Sequence, residues 1–159
     1  MRNIYKPLIF FSVFLLCSCG YTPLYKSQKV NFNITEIQTN NKNNYYYLFK
    51  NSLKTYIQDN QSNLIEIVLK VNLSKNKRII SKDAKGNPLV FSLEIISDLQ
   101  IFEDNELIAD KKIIKKFKYN NRSNIFDLNR YEENIEKNLI KSISEDVIFL
   151  ISKNTVEKQ

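Results

Sequence analysis

From Ile65 onward, every second residue is apolar over a long stretch: Ile65, Ile67, Leu69, Val71 and Leu73 fall in one phase. Glu66, Lys70, Asn72 and Ser74 fall in the other, with Val68 the exception. Successive side chains of a strand point to opposite faces, so this period of two predicts a half-buried β-strand. Lys75–Ser81 is a possible extension of it. Lys85-Gly86-Asn87-Pro88 is a turn signal. A further strand then presents Leu89, Phe91, Leu93, Ile95, Leu99 and Ile101 on one face. Glu103-Asp104-Asn105 predicts a tight turn, and a last strand of poorer alternation spans about 106–119, interrupted by lysine pairs at 111–112 and 115–116. A sheet with one apolar face must be covered by another layer.

The flanking segments supply that cover. Val30, Phe32 and Ile34 alternate with Asn31, Asn33 and Thr35 and predict a first strand. The Asn-rich break at 40–44 provides a helix cap, and Tyr45, Phe49, Leu53, Tyr56 and Ile57 predict a helix over about 44–59. Residues 59–63 read as a turn. Beyond residue 120, Leu128, Tyr131, Ile135, Leu139, Ile143, Val147, Leu150 and Ile151 keep a rhythm of three to four, the mark of an amphipathic helix about 25 residues long. Asp127 or Asn124 is placed to cap its start. The expected fold is α+β: a two-layer sandwich, its four-stranded, mainly antiparallel sheet covered by two helices in the order β-α-β-β-β-α, with one sheet face open.

Composition narrows the function. The chain has 159 residues, no His, no Trp and two Gly. Two glycines exclude a glycine-rich phosphate loop. Without His, the Ser-His-Asp and Cys-His nucleophiles are excluded, and so are the commonest metal ligand and general base. The reading is therefore of a protein without enzymatic activity, with no cofactor and no metal site. A lipid-anchored hydrolase would be left with a Ser-Lys pair, and no distinctive constellation of that kind is present. The net charge of +7 is carried by 20 Lys against 4 Arg, beside 21 Asn and 21 Ile. Lys, Asn, Ile, Phe and Tyr share A/T-rich codons, so codon bias accounts for much of the basic excess.

The first residues, MRNIYKPLIFFSVFLLCSCG, place Arg2 and Lys6 before an apolar run at 8–16. That run is too short for a helix across about 30 Å of hydrocarbon and suits a signal peptide. Leu16-Cys17-Ser18-Cys19 follows and resembles a bacterial lipobox. The resemblance implies cleavage after Ser18 and lipidation of Cys19. The expected organisation is a signal peptide at 1–18, a lipidated tether at 19–28 and a single domain at 29–159. Loss of 1–18 removes Arg2, Lys6 and Cys17. Of 24 basic side chains 22 then remain against 17 acidic ones, and a lipidated Cys19 leaves no thiol for a disulfide. Two or three acyl chains, at about 0.8 kcal/mol per buried CH₂, make a stable anchor. Export disfavours nucleic acid as a partner.

The tether reads Cys19-Gly20-Tyr21-Thr22-Pro23-Leu24-Tyr25. An aromatic followed by x-Pro-Leu-Tyr directly after the lipid cysteine resembles the LPS-assembly lipoprotein LptE family, its alphaproteobacterial-type members above all. The element order and the length agree with that family. The resemblance implies an outer-membrane lipoprotein, facing the periplasm, that plugs the LPS-assembly barrel LptD and helps deliver lipopolysaccharide. The competing reading is another periplasm-facing lipoprotein, such as an auxiliary component of a lipid ABC transporter.

Two basic clusters remain. Lys75, Lys77, Arg78, Lys82 and Lys85 flank the predicted hairpin turn. Lys77, Arg78, Lys82 and Lys85 are the candidate contacts to lipid A phosphates, the alternative being a solvated hairpin tip. Lys111, Lys112, Lys115, Lys116 and Lys118 read as charges that blunt an exposed edge strand. In Tyr45-Tyr46-Tyr47, helical geometry sends one ring to the core. Glu132-Glu133 reads as a pair on a helix surface, where neighbours do not face each other and form no acid/base dyad.

Overall fold

The computed structural model describes residues 31–57 and 64–156. The signal peptide, Cys19, the tether and the turn at 59–63 lie outside the described residues. The chain forms β1 (Phe32–Gln38), α1 (Asn44–Ser52), a 3₁₀ turn (Lys54–Tyr56), β2 (Ile65–Lys82), β3 (Pro88–Glu103), β4 (Glu106–Asn120) and α2 (Ile125–Val156). The sheet order is β1-β2-β3-β4; β1 pairs with β2 in parallel, and the other pairs are antiparallel. The expected α+β sandwich and its element order are what the chain adopts.

The alternating positions predicted the buried face. Ile67, Leu69, Val71 and Leu73 of β2 and Leu93, Ile95, Leu99 and Ile101 of β3 pack with Phe49 and Leu53 and with Ile140, Ile143, Val147 and Ile151 of α2. Each fully buried aliphatic side chain contributes about 1.5–3 kcal/mol. Tyr46 is the tyrosine that enters the core; its hydroxyl donates to the Ile37 carbonyl at 3.2 Å, while Tyr47 stays exposed.

Five local expectations are corrected or sharpened. The first helix ends at Ser52 rather than near 59. There the Leu53 amide is shared between the Phe49 and Lys50 carbonyls, and the Ser52 hydroxyl caps Phe49, which tightens the last turn into the 3₁₀ segment. In β1 the register shifts between Ile34 and Glu36. This bulge changes the phase, so Ile37 packs on the same core as Phe32 and Ile34. The last helix has 32 residues, and Asn124, not Asp127, caps it: its Oδ1 accepts from the Phe126 amide at 2.9 Å. Leu89 shares the phase of the core residues but stands half exposed at the end of the sheet. At the β3–β4 turn, Asp104 and Asn105 both adopt positive φ, 49° and 66°, as a two-residue hairpin of the I′ kind requires.

β1 pairs with β2 only from Ile65 to Lys70. Residues 71–82 of β2 therefore run on with β3 and β4 as a three-stranded extension. At about 3.3 Å per residue the whole of β2 spans about 60 Å. This extension carries the candidate site.

Candidate functional site

The β2–β3 loop is built around Asp83. Its carboxylate accepts from the Lys85 and Asn87 amides and from the Asn87 side chain, all at 2.8–2.9 Å. The Asn87 side chain and then its amide hold the Asp83 carboxyl below its ordinary value. Gly86, at φ +87°, supplies the left-handed residue, and its amide donates to the Asp83 carbonyl at 3.0 Å. The loop thus holds Lys82 and Lys85 exposed at the end of the sheet; neither has an ion-pair partner among the described residues.

Lys77 and Arg78 do not join them. They are consecutive on a strand and point to opposite faces. Lys77 turns towards α2, where Nζ meets Glu132 at 2.5 Å and lies 4.3 Å from the centroid of the Phe91 ring. Arg78 lies on the open face and pairs with Glu94 of β3. The four predicted contacts thus divide into two cations at the loop with no ion-pair partner among the described residues and two that are paired with carboxylates of α2 and β3.

Lys75 repeats the pattern of Lys77, two residues earlier. Its Nζ is 2.8 Å from Glu136. Burial pulls the Lys75 ammonium down, but Glu136 and Tyr45 outweigh it and the group titrates above its ordinary value. The hydroxyl of buried Tyr119 donates to the same Glu132 oxygen at 2.7 Å. Burial first, and then the Glu132 carboxylate, push the Tyr119 phenol well up. Glu132 is 8% exposed, so it is not the surface residue predicted; Glu133, its neighbour, is exposed. A recognisable signal lay in the sequence. Lysines at 75 and 77 share a strand face, and glutamates at 132 and 136 share a helix face.

The same end of the molecule gathers apolar side chains that the sequence reading did not single out as a group. Ile79, Ile80 and Leu89 of the hairpin and Ile125 and Phe126 at the start of α2 are all exposed, Phe126 by 76%. The Asn121 amide donates to the Leu89 carbonyl at 2.7 Å and ties the α2 entry to the hairpin. Arg122 adds a guanidinium 4.1 Å from the centroid of the Tyr131 ring. Exposed cations beside exposed aliphatic and aromatic groups give this end of the sheet an amphipathic surface. Among the described residues no group of three metal-ligating side chains occurs, and no helix is long and apolar enough to cross a membrane.

Solved structures share this architecture. Rare lipoprotein B from Shewanella oneidensis superimposes with a TM-score of 0.62 at 14% identity, over 79% of this chain and 98% of that one. The fold is that of rare lipoprotein B. A minor lipoprotein from Acinetobacter baumannii matches with a TM-score of 0.58 at 14% identity, over 78% of this chain and 93% of its own. Lipoprotein B from Nitrosomonas europaea matches with a TM-score of 0.61 at 16% identity, over 79% and 85%. The resemblance read from the element order thus holds at the level of fold. No protein-family model matches the chain, and no curated protein sequence matches it.

Proposed function

We propose that the chain is an outer-membrane lipoprotein, anchored through Cys19 and facing the periplasm, that assembles with the LPS-assembly barrel LptD and helps deliver lipopolysaccharide to the cell surface. The observation that carries this reading is the conjunction of a rare lipoprotein B fold with a lipobox and a Cys-Gly-Tyr-Thr-Pro-Leu-Tyr tether in one chain. The protein acts by binding, and the His-free composition supports a role without chemistry of its own. The parallel pairing of β1 with the start of β2 puts the tether end of β1 at the opposite end of the sheet from the hairpin loop. In the proposed arrangement, therefore, the lipid anchor and the amphipathic end work at different levels above the membrane.

Lipopolysaccharide offers phosphates and acyl chains together. Lys82 and Lys85 suit the phosphates, and Ile79, Ile80, Leu89 and Phe126 suit the hydrocarbon. Clustered charge-assisted contacts gain jointly, whereas one exposed pair is worth only about 0–1 kcal/mol. The joint variant Lys82→Gln/Lys85→Gln is expected to weaken binding of purified lipopolysaccharide at low salt without changing the thermal midpoint. Unchanged binding removes the hairpin end as the contact. Mass spectrometry of the mature N-terminus tests the anchor: an acylated Cys19 is expected, and an unmodified one removes the lipoprotein reading.

A further inference from the structure

The two long edges of the sheet are finished differently. On the β2 side, beyond the end of β1, the chain covers its own edge at residues 72–73. Asn72 Oδ1 accepts from the Thr39 hydroxyl and the Asn40 amide, and the Asn43 side chain donates to the Leu73 carbonyl. Further along, Lys75, Lys77 and Arg78 are all held by carboxylates. On the other side, β4 has only β3 as a strand neighbour over its 15 residues, so half of its backbone amides and carbonyls face outward.

This edge is both basic and apolar. Lys111, Lys116 and Lys118 are exposed and have no carboxylate partner among the described residues. Leu107, Ile114 and Phe117 are also exposed, by 45–52%. Ile114 sits between Lys112 and Lys116 on the open face, and Phe117 follows Lys115 on the helix side. A strand that only needed protection from unselective pairing would carry the lysines without the large apolar groups.

We propose that the β4 edge is a docking strand for an extended acidic segment of a partner protein, which joins the sheet as a fifth strand. Backbone bonding along β4 supplies the attachment, and side chains directly opposite on an added strand lie about 5 Å away. On the open face, acidic side chains would then lie beside Lys116 and Lys118, and on the helix side aliphatic ones would lie beside Phe117. Charge selects the partner: a basic strand is repelled and an acidic one attracted. The proposal does not depend on the lipopolysaccharide reading.

The test uses the detergent-solubilised full chain and a fluorescent eleven-residue peptide of alternating Glu and Val, with its Lys-for-Glu counterpart as control. The acidic peptide is expected to bind and the basic one not. Binding is expected to slow hydrogen exchange at alternate β4 amides and to leave 71–82 unchanged. Lys116→Glu/Lys118→Glu should weaken it at least tenfold. The charge-neutral Lys116→Gln/Lys118→Gln, which is milder to the fold, should weaken it severalfold with an unchanged circular dichroism spectrum. No binding, or binding without β4 protection, overturns the proposal. So does β4 protection that rises with protein concentration in the absence of peptide, which would assign the edge to a second copy of the chain.

Discussion

The two halves of α2 meet the sheet through different chemistry. The C-terminal half presents Ile140, Ile143, Val147 and Ile151, each at most 1% exposed, to the face that β2, β3 and α1 share. The N-terminal half presents Leu128 and Ile135 but also Glu132 and Glu136, and the sheet below answers with Tyr119, Lys75 and Lys77. The difference follows from what lies alongside. The C-terminal half is sealed by α1, so apolar burial is complete. The N-terminal half covers the extension alone, at its margin, where lysine stems can lie along apolar surface with their charges paired. Hydrophobic contact is insensitive to pH and orientation, whereas ion pairs fix register and depend on protonation.

The largest effect is expected in the apolar half. Ile143→Ala should lower the unfolding free energy in urea by about 2–5 kcal/mol, the range for a buried aliphatic truncation. A loss below 1 kcal/mol would mean that the C-terminal half is not the more tightly packed one. In the ion-paired half, Lys77→Ala leaves Glu132 buried beside Tyr119 without its cation. The expected cost is about 1–3 kcal/mol, the penalty for a buried carboxylate that loses its charged partner and keeps only the Tyr119 hydrogen bond. The pair Lys77→Met/Glu132→Leu should recover most of that loss, since apolar replacement of both partners is often neutral or better. If the double variant is as unstable as the single one, the ion pair carries stability that apolar packing cannot replace.

Alkali separates the halves without mutation. The Lys75 ammonium and the Tyr119 phenol both titrate above their ordinary values of 10.5 and 10.0 in the folded chain. A raised folded value favours folding fully below the unfolded value, and that contribution is lost as pH rises through the folded one. Hydrogen exchange of 125–136 should therefore accelerate above about pH 10 before that of 140–151 does. Simultaneous acceleration would remove the distinction.

The apolar half has one flaw. Ser97 lies on the core face opposite Leu73 and Ile113, fully buried, and its hydroxyl is without a hydrogen bond among the described residues. Ser97→Ala should raise stability by about 1 kcal/mol, read as a higher urea midpoint. The smallest effect belongs to the hairpin loop. Asp83 titrates below 3.8, so its hold on Asn87 and Lys85 is present above that pH and lost only as pH falls through the lowered value. Loop amide exchange should stay slow to that point, and release near neutral pH would contradict the Asp83 assignment.

The apolar half was legible in the sequence because period two on the strands and period three to four on the helix each mark a buried face without reference to the other. The extension was legible only in part. Lys75 and Lys77 continue the alternation of Ile67 to Leu73, but charge at those positions hides the continuity until the partner helix is in place. Pairing 75 and 77 with 132 and 136 is a tertiary event between segments more than fifty residues apart. It also separated the predicted phosphate contacts, because neighbours on a strand diverge. The bulge near Thr35 and the early end of α1 are set by the burial of Ile37 and Leu53, which no local preference encodes. Cys19 and the tether lie outside the described residues, and their reading rests on motif alone.

Co-purification of the lipidated full chain from outer membranes tests the proposed function most directly. The chain is expected to elute as one complex with the LptD barrel and to carry lipopolysaccharide, and Lys82→Gln/Lys85→Gln should reduce the lipopolysaccharide while leaving the barrel bound. A chain that fractionates with the inner membrane, or elutes without the barrel, would contradict the assignment.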